Sequence, residues 1–493
     1  MSDSEGKKMA SKVSKNVATE FSWSKQEEKA ALLKLDCYLL PLLIAGFFVL
    51  QLDRSNISNA LTDTITEDLG ITNNDVNLGS QLMSAGIVIA EIPSNLILQR
   101  VGAPIWMTFQ MGVWGTIALT QTWCTNIHSF LATRFLLGVF EGGYIPGGQY
   151  MLALFYTREE LASRTAIFYF GNYAATATGS LIAAGVLNMG GIGGLSGWQW
   201  LFALEGIITL VVFLAFVALL PRSPTHTAPP SPAPVHGLFD FFSPRQRQIL
   251  RARIMADDET KGADKARITL KTLAHALTDH RLWLHMLLNV VALAPKGGLQ
   301  LYGPKIIKNL GFSRTNANLL NAVSSILVIV LSWTISLASD RTRWRGPWCI
   351  VAFSWSIIFA GVLYGLPAGS GKWAHYAIFT LLSGGNALAQ GLNDAWVSIN
   401  AVNPSKRSIG LAMVVMGSNL GAIAGNQLFR DDDAPKYARA FIGVLSLYAA
   451  AIPVTLVIMW VYWRANRRIA QGEKLEIGGQ VIVASGEGRR RFD

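Results

Sequence analysis

The sequence predicts an all-α membrane protein of twelve transmembrane helices in two pseudo-symmetric bundles of six. Twelve apolar stretches are each long enough to cross a bilayer, and a polar segment divides them six and six. The composition agrees: 51% of residues are hydrophobic and 15% charged, with 15 Trp and 46 Gly, where a soluble domain carries about 25% charge. A hydrocarbon core about 30 Å thick takes roughly 20 apolar residues in helix to cross, because unpaired backbone polar groups are too costly in lipid.

Residues 1–35 form a polar tail without the short charged start and small-residue cleavage site of a signal peptide, so the first span is expected to act as its own insertion signal. The N-terminal bundle, residues 36–220, takes its spans near Tyr38–Ala60, Leu78–Leu98, Ile105–Trp123, Phe130–Phe155, Ile167–Leu187 and Trp198–Leu220. Residues 221–280 are a central loop whose Pro-rich run, Ala228 to Pro234, favours an extended linker. Beyond it, Ser243 is placed to cap a short helix with Pro244 at its first position, running to about Met255. Leu270, Leu273 and Leu277 then form a narrow apolar stripe suited to the inner membrane surface or the helix bundle. The C-terminal bundle, residues 281–463, has spans near Trp283–Tyr302, Ala317–Ala338, Trp348–Leu366, Tyr376–Ile399, Gly410–Phe429 and Phe441–Trp463. Residues 464–493 are a polar tail.

The placement of the +11 net charge shows what it means. With the N-terminus in the cytoplasm, seven of the 42 Lys and Arg fall outside (Lys305, Lys308, Arg314, Lys372, Arg430, Lys436, Arg439) and three within spans (Arg54, Arg134, Lys296). The remainder lie on the cytoplasmic side, which places both termini and the central loop there. The basic excess is thus a topology signal for a lipid bilayer, not a footprint for nucleic acid. Cys37, Cys124 and Cys349 have neither disulfide nor metal-ligand spacing and are expected to be free, buried thiols. No phosphate-cradling loop, zinc spacing or nucleophile–base pair points to an enzyme. No cofactor is expected; without an ATP site, the energy source implied is an ion gradient.

Ionisable residues inside the spans carry the most mechanistic information, since a charge at the bilayer centre costs at least about 2.5–3.5 kcal/mol on insertion scales unless paired or hydrated. The apolar run Tyr38–Leu52 is too short to span alone, so the first helix must carry Asp53 and Arg54 into the membrane. Ser55-Asn56-Ile57-Ser58-Asn59 then suits a face on a wet cavity. On the fourth span, Arg134 and Glu141 share a face but stand roughly 10 Å apart along the axis, too far to pair. Each needs a partner from another helix, water or a substrate, and Asp53 or Arg54 can supply one. The alternative is a closed charge network that only locks the fourth helix against the first.

In the second half, Lys296 lies in Pro295-Lys296-Gly297-Gly298, read as an interruption of the seventh span of the kind that builds midplane sites. Alternatively, Lys296 snorkels to the outer interface. Asn386, Gln390, Asn393, Asp394, Trp396 and Asn400 recur at helical spacing in the tenth span, and Asn419 and Asn426 in the eleventh; they either line the cavity or make interhelical hydrogen bonds. Gly138, Gly142, Gly179, Gly417, Gly421 and Gly425 read as close-packing sites between helices.

The halves repeat one another: Gln99-Arg100-Val101-Gly102-Ala103-Pro104 follows the second span and Asp340-Arg341-Thr342-Arg343-Trp344-Arg345-Gly346-Pro347 the eighth. These turns resemble the G-x-x-x-D-R-x-G-R pattern of the major facilitator superfamily. The first copy has Asn95 for the leading Gly and Gln99 for the Asp; the second keeps Asp340-Arg341 but has Ser336 and Arg343 for glycines. The resemblance implies the major facilitator fold and a gating role for Arg100, Asp340 and Arg341, the last two being the better candidates because the first copy lacks the acid.

Leu52-Asp53-Arg54-Ser55-Asn56, Arg134 with Glu141-Gly142-Gly143-Tyr144-Ile145-Pro146-Gly147, and Gly197-Trp198-Gln199-Trp200 with Glu205-Gly206 resemble the superfamily's anion:cation symporter branch. That branch includes fungal allantoate, nicotinate and pantothenate permeases and bacterial sugar-acid importers. Departures are Gln199, where fungal members often have Arg, and Asn321-Ala322-Val323-Ser324, where many have a Pro-rich turn. The resemblance implies proton coupling at Asp53 and Glu141 and substrate contact at Arg54 and Arg134. Lys296, Gln390, Asn393, Trp396 and Asn400 are the further substrate-binding candidates. Burial favours a neutral acid and a nearby Arg favours the carboxylate, so an Arg moving between carboxylate and substrate would couple proton release to binding. The expectation is proton-coupled import of a small organic carboxylate, such as a vitamin or ureide acid, by a monomer in a fungal plasma membrane. Efflux of a metabolite and a non-transporting nutrient receptor are the alternatives.

Overall fold

A computed structural model gives the fold and describes residues 23–224, 226–230, 241–257, 274, 277–367, 369–386, 388–401, 404–434, 437–471, 475–477 and 480–482. Leu270, Leu273 and most of the Pro-rich run lie outside the described residues. Twelve spans follow one another in the expected order. Span 1 is Lys25–Ala60, span 2 Asn73–Val101, span 3 Ala103–Thr120, span 5 Arg158–Val186 and span 6 Gly197–Leu219. Span 7 is His280–Asn309, span 8 Arg314–Thr342, span 9 Arg345–Gly365, span 11 Pro404–Gly425 and span 12 Ala438–Ala470. Spans 4 and 10 are each two half-helices, Ile127–Glu141 with Tyr144–Phe155 and Lys372–Gly384 with Leu388–Asn400. A short antiparallel hairpin, Leu475–Ile477 with Gln480–Ile482, follows span 12.

Three departures from the sequence reading have local causes. Span 1 begins well before its apolar run because Ser24 and Glu27 form a capping box that extends the helix through polar residues. Span 4 breaks at Gly142-Gly143 because Pro146 has no amide to offer the Gly142 carbonyl. Span 7, read as interrupted at Pro295-Lys296-Gly297-Gly298, is instead one continuous helix through Pro295 and Pro304; the spans packed along it let it tolerate the lost backbone bonds. In the loop, Ser243 caps the helix Pro244–Asp257 by accepting from the Gln246 amide at 3.2 Å.

Packing repeats between the halves. Span 1 packs on span 5 as span 7 does on span 11, span 3 on span 6 as span 9 does on span 12, and span 2 on span 4 as span 8 does on span 10. The halves meet through the related pairs 2 with 11 and 8 with 5, and through 1 with 7. Closest approach is set by glycine: a Cβ at Gly138 would lie 2.0 Å from the Met83 carbonyl oxygen, and one at Gly425 1.7 Å from that of Ala294. On the outer surface, Val211, Leu214, Trp333 and Ile358 are more than half exposed, a surface that only lipid would solvate without cost. Cys124 and Cys349 are buried and free, whereas Cys37, expected to be buried, is exposed and free.

Candidate functional site

The intramembrane charges of the first half converge. Span 1 carries Asp53 and Arg54 on adjacent faces. The Arg54 Nε donates to Glu141 Oε2 at 2.7 Å; Glu141 is fully buried, and the Arg54 side chain remains 20% exposed. Glu141 ends the first half-helix of span 4, so its carboxylate sits at the break. Asp53 is fully buried, accepting from Thr209 Oγ1 of span 6 at 3.0 Å through Oδ2, while its Oδ1 finds no hydrogen-bond partner among the described residues. Arg134 is also buried: it donates to Asn56 Oδ1 at 3.2 Å and lies against the Phe130 and Phe202 rings at 5.5 and 5.8 Å. The helix break, a partly exposed cation and buried acids thus occupy one level of the bundle. The arrangement can exchange partners on Arg54 between Glu141 and an incoming anion.

Two further acids belong here. Glu91 of span 2, half-buried, lies close enough to Arg54 to feel its charge. Glu205 of span 6 is buried beside the Asn56 side chain and close enough to Arg134 to feel its charge. Both are acids inside expected spans, so the intramembrane-charge argument that selected Asp53 selects them too.

In the second half, Lys296 is half-buried and donates to Gln390 Oε1 at 3.0 Å, with Asp394 as its charged neighbour. Asn393 is fully buried, donating to Asn289 Oδ1 at 2.8 Å and pairing with His285 Nδ1 at 2.6 Å. His285 also pairs with the Tyr462 hydroxyl at 2.9 Å and meets the Trp396 ring edge-on at 5.1 Å. Lys296, Gln390 and Asp394 therefore form one group. Asn393 and Trp396 sit within the bundle's own polar network, toward whose Tyr462 Asn400 also points. His285 and Tyr462 escaped the sequence reading because neither is an intramembrane charge in the sense that singled out the arginines.

The residues expected to act in gating lie at the end of the molecule where span 1 begins and span 12 ends. Arg100 is exposed in the last turn of span 2. Asp340 pairs with Arg345, which also donates to Ser339 Oγ at 2.9 Å, and Arg341 is exposed beside them. Arg343 has a left-handed backbone, φ 57°, at a position where the superfamily pattern has glycine. Asp340 and Arg341 thus share one turn, while Arg100 belongs to the other half.

Hydrogen bonds joining the halves cluster at the opposite end. Asp63, just beyond span 1, pairs with Arg314 at the start of span 8. Lys308 donates to the Thr62 carbonyl at 2.8 Å, Lys305 to Asn73 Oδ1 at 2.6 Å and Tyr302 to Asn77 Oδ1 at 2.7 Å. Asn77 in turn donates to the Phe429 carbonyl at 3.0 Å, and Ser58 to that of Gln300 at 2.8 Å. Asp68, exposed near this end, is held below its ordinary range: burial opposes ionisation, but hydrogen bonds from Ser196, Trp198 and Thr64 outweigh it.

Comparison with known proteins agrees with this architecture. The uncharacterized transporter YIL166C of Saccharomyces cerevisiae is 31% identical over 91% of this chain and 82% of its own. The major facilitator-type transporter hxnP of Emericella nidulans is 26% identical over 94% of this chain and 92% of its own. Among solved structures, a partially occluded inward-open form of the xylose transporter XylE from E. coli superposes with a TM-score of 0.65, at 13% identity, covering 86% of this chain and 96% of that one. A bacterial homologue of the human lysosomal transporter Spinster, inward-facing and unoccupied, gives 0.64 at 13% identity over 91% and 99%. These two establish likeness of fold. The family model described as Major Facilitator Superfamily matches residues 43–426: this chain belongs to that superfamily and is a multi-pass membrane transporter, not an enzyme.

Proposed function

We propose that the protein is a proton-coupled symporter that imports a small organic carboxylate by alternating access, within the anion:cation symporter branch. The observation that carries this reading is the Arg54–Glu141 pair: a partly exposed guanidinium held at 2.7 Å by a fully buried carboxylate at a helix break. An arriving substrate carboxylate competes with Glu141 for Arg54. Glu141, losing its counter-charge in a low-dielectric site, takes a proton, because burial penalises the charged form. Return of Arg54 after substrate release expels that proton. Asp53, held by Thr209, and Arg134, held by Asn56, add a second buried acid and a second buried cation to the site, and Lys296 with Gln390 offers the second half's contact to the substrate. Asn393, Trp396 and Asn400 then shape the site from behind. The charge distribution along the sequence supports cytoplasmic termini, an orientation in which the closed end faces outward. Arg100, Asp340 and Arg341 act in gating at the cytoplasmic side. The resemblance favours the plasma membrane and a monomer, with the proton gradient as the energy source and no cofactor.

Uptake of labelled nicotinate, pantothenate, allantoate and sugar acids into permease-deficient yeast, at acidic and neutral external pH, tests the reading. Accumulation of one of them that rises with acidity and collapses with a protonophore is expected. Correct surface expression with no uptake of any acid would overturn import of a carboxylate.

A further inference from the structure

We infer that the end of span 12 holds a site for an anionic phospholipid, whose phosphate is gripped by Arg464 and Arg467 while Trp460 and Trp463 seat it in the leaflet.

These residues share one face of the helix. Leu456, Val457, Trp460, Trp463, Arg464 and Arg467 recur at helical spacing and are all exposed, whereas Ile458, Tyr462 and Ile469 on the other side are buried against the bundle. Along the exposed face the side chains pass from aliphatic to aromatic to cationic within about three turns, or roughly 16 Å. A leaflet passes from acyl chain through interface to phosphate in the same order.

Neighbouring spans fix the level independently. A Cβ at Gly346, near the start of span 9, would lie 2.5 Å from the Met459 Cγ, and His285, near the start of span 7, pairs with the Tyr462 hydroxyl. Trp344 and Trp283, each two residues earlier on those spans, are exposed as well. Four exposed indoles from three span ends thus mark the bilayer–water boundary at Trp460 and Trp463. Arg464 and Arg467 stand at that boundary and just beyond it.

Span 12 differs from its neighbours in presenting cations without acids. Beside the other two tryptophans, Arg345 is taken by Asp340, and Arg281 is buried over the Tyr462 ring. Arg464 lies over the Trp460 ring and Arg467 over the Trp463 ring, each at 5.4 Å, and neither guanidinium has an acceptor among the described residues. Stacking holds each planar group while leaving its N–H edge open, and that edge matches two phosphate oxygens at once. A cleft of about 380 Å³ is lined by Trp460, Trp463, Arg464, Arg467, Arg468 and Gln471, within the range of ligand sites, about 300–1,000 Å³. The carbonyl end of the helix adds only about half a negative charge, which the arginines exceed. Leu456 and Val457 continue the face into hydrocarbon, where an acyl chain follows its headgroup and a dissolved anion does not. The occupant is therefore a lipid.

Native mass spectrometry of the delipidated full chain in detergent, titrated with phosphatidylserine or phosphatidylcholine, tests the site. The wild type should take up a first phosphatidylserine well before phosphatidylcholine, and Arg464→Gln with Arg467→Gln should weaken that first binding about fivefold for each arginine removed. Arg245→Gln with Arg247→Gln, which removes the same charge from the loop helix, should leave it unchanged. Equal affinity for the two lipids, an unmoved affinity in the span 12 variant, or equal losses in both double variants would overturn the site. Displacement of the lipid by soluble glycerophosphoserine at matched concentration would overturn the lipid as its occupant. If the glutamine variant fails to fold, Arg464→Lys with Arg467→Lys keeps the charge and loses the two-pronged donors; unchanged phosphatidylserine affinity there overturns the proposal equally.

Discussion

At the scale of the residue, function concentrates where the chain keeps charges in lipid at a cost of several kcal/mol. Glu141 and Arg54 neutralise one another in the present conformation. Substituting Glu141→Gln should therefore leave substrate binding and exchange in place while removing acid-stimulated accumulation. Counterflow of preloaded substrate, compared with net uptake across a pH step, separates the two; net uptake that still responds to pH in this variant would exclude Glu141 from coupling. Arg54→Gln is expected to lose both activities, since it removes the partly exposed cation that pairs with Glu141 at the span 4 break. Arg343 makes a separate point. Its left-handed backbone costs about 1–2 kcal/mol, so Arg343→Gly should raise the melting temperature, measured by tryptophan fluorescence in detergent.

At the scale of the element, helices are fixed by glycine contacts and by ion pairs at their ends. Alanine at Gly425 would drive a methyl into the Ala294 carbonyl and force span 11 off span 7. Loss of monodisperse protein at temperatures the wild type survives is the expected result for Gly425→Ala. The loop helix Pro244–Asp257 docks under spans 1 and 5 through buried Ile249, Leu250 and Ile254 and through Arg253, which donates to Glu160 at 3.1 and 2.5 Å. Burial raises the cost of ionising Glu160, yet the Arg253 hydrogen bonds and charge hold its carboxyl below the ordinary range. A lowered value in the folded state means this contribution is present above the unfolded value and is lost as pH falls through the folded one. Docking is thus complete at neutral pH and weakens in acid. Arg253→Ala, by breaking a largely buried pair, should cost about 3 kcal/mol and speed tryptic cleavage at Arg245 and Arg247; an unchanged cleavage rate would contradict the docking role.

The same scale shows what the sequence could and could not disclose. Order and number of spans were legible because lipid demands long apolar runs, and the Ser243–Pro244 helix start because capping is local chemistry. The extension of span 1 by Ser24 and the break at Gly142-Gly143 are also local signals, overshadowed by the hydropathy of their neighbours. Lys296 with Gln390 joins residues far apart in sequence, and such pairing follows from how spans 7 and 10 pack, not from any spacing. Asn393 and Trp396 looked like cavity residues by helical periodicity alone; periodicity finds a polar face but does not distinguish a cavity from the His285–Tyr462 network it packs against.

At the scale of the whole molecule, two six-helix bodies are joined by polar bonds at one end, where Asp63 pairs with Arg314 and Lys308 reaches the Thr62 carbonyl. This bond set holds that end closed. Asp63→Asn should shift the population toward opening there, lengthening the distance between spin labels at exposed Glu67 and Asp432. Exchanging the pair, Asp63→Arg with Arg314→Asp, should recover part of the original distance; equal distances in all three proteins would remove the pair from any role in closure.

Coupling of a proton to a carboxylate through Arg54 and Glu141 is the central claim, and the proton count per substrate tests it most directly. In proteoliposomes with an imposed pH gradient, the wild type should accumulate its acid until the substrate gradient balances the proton gradient, and Glu141→Gln should only equilibrate it. Equal accumulation by the two proteins would contradict the account.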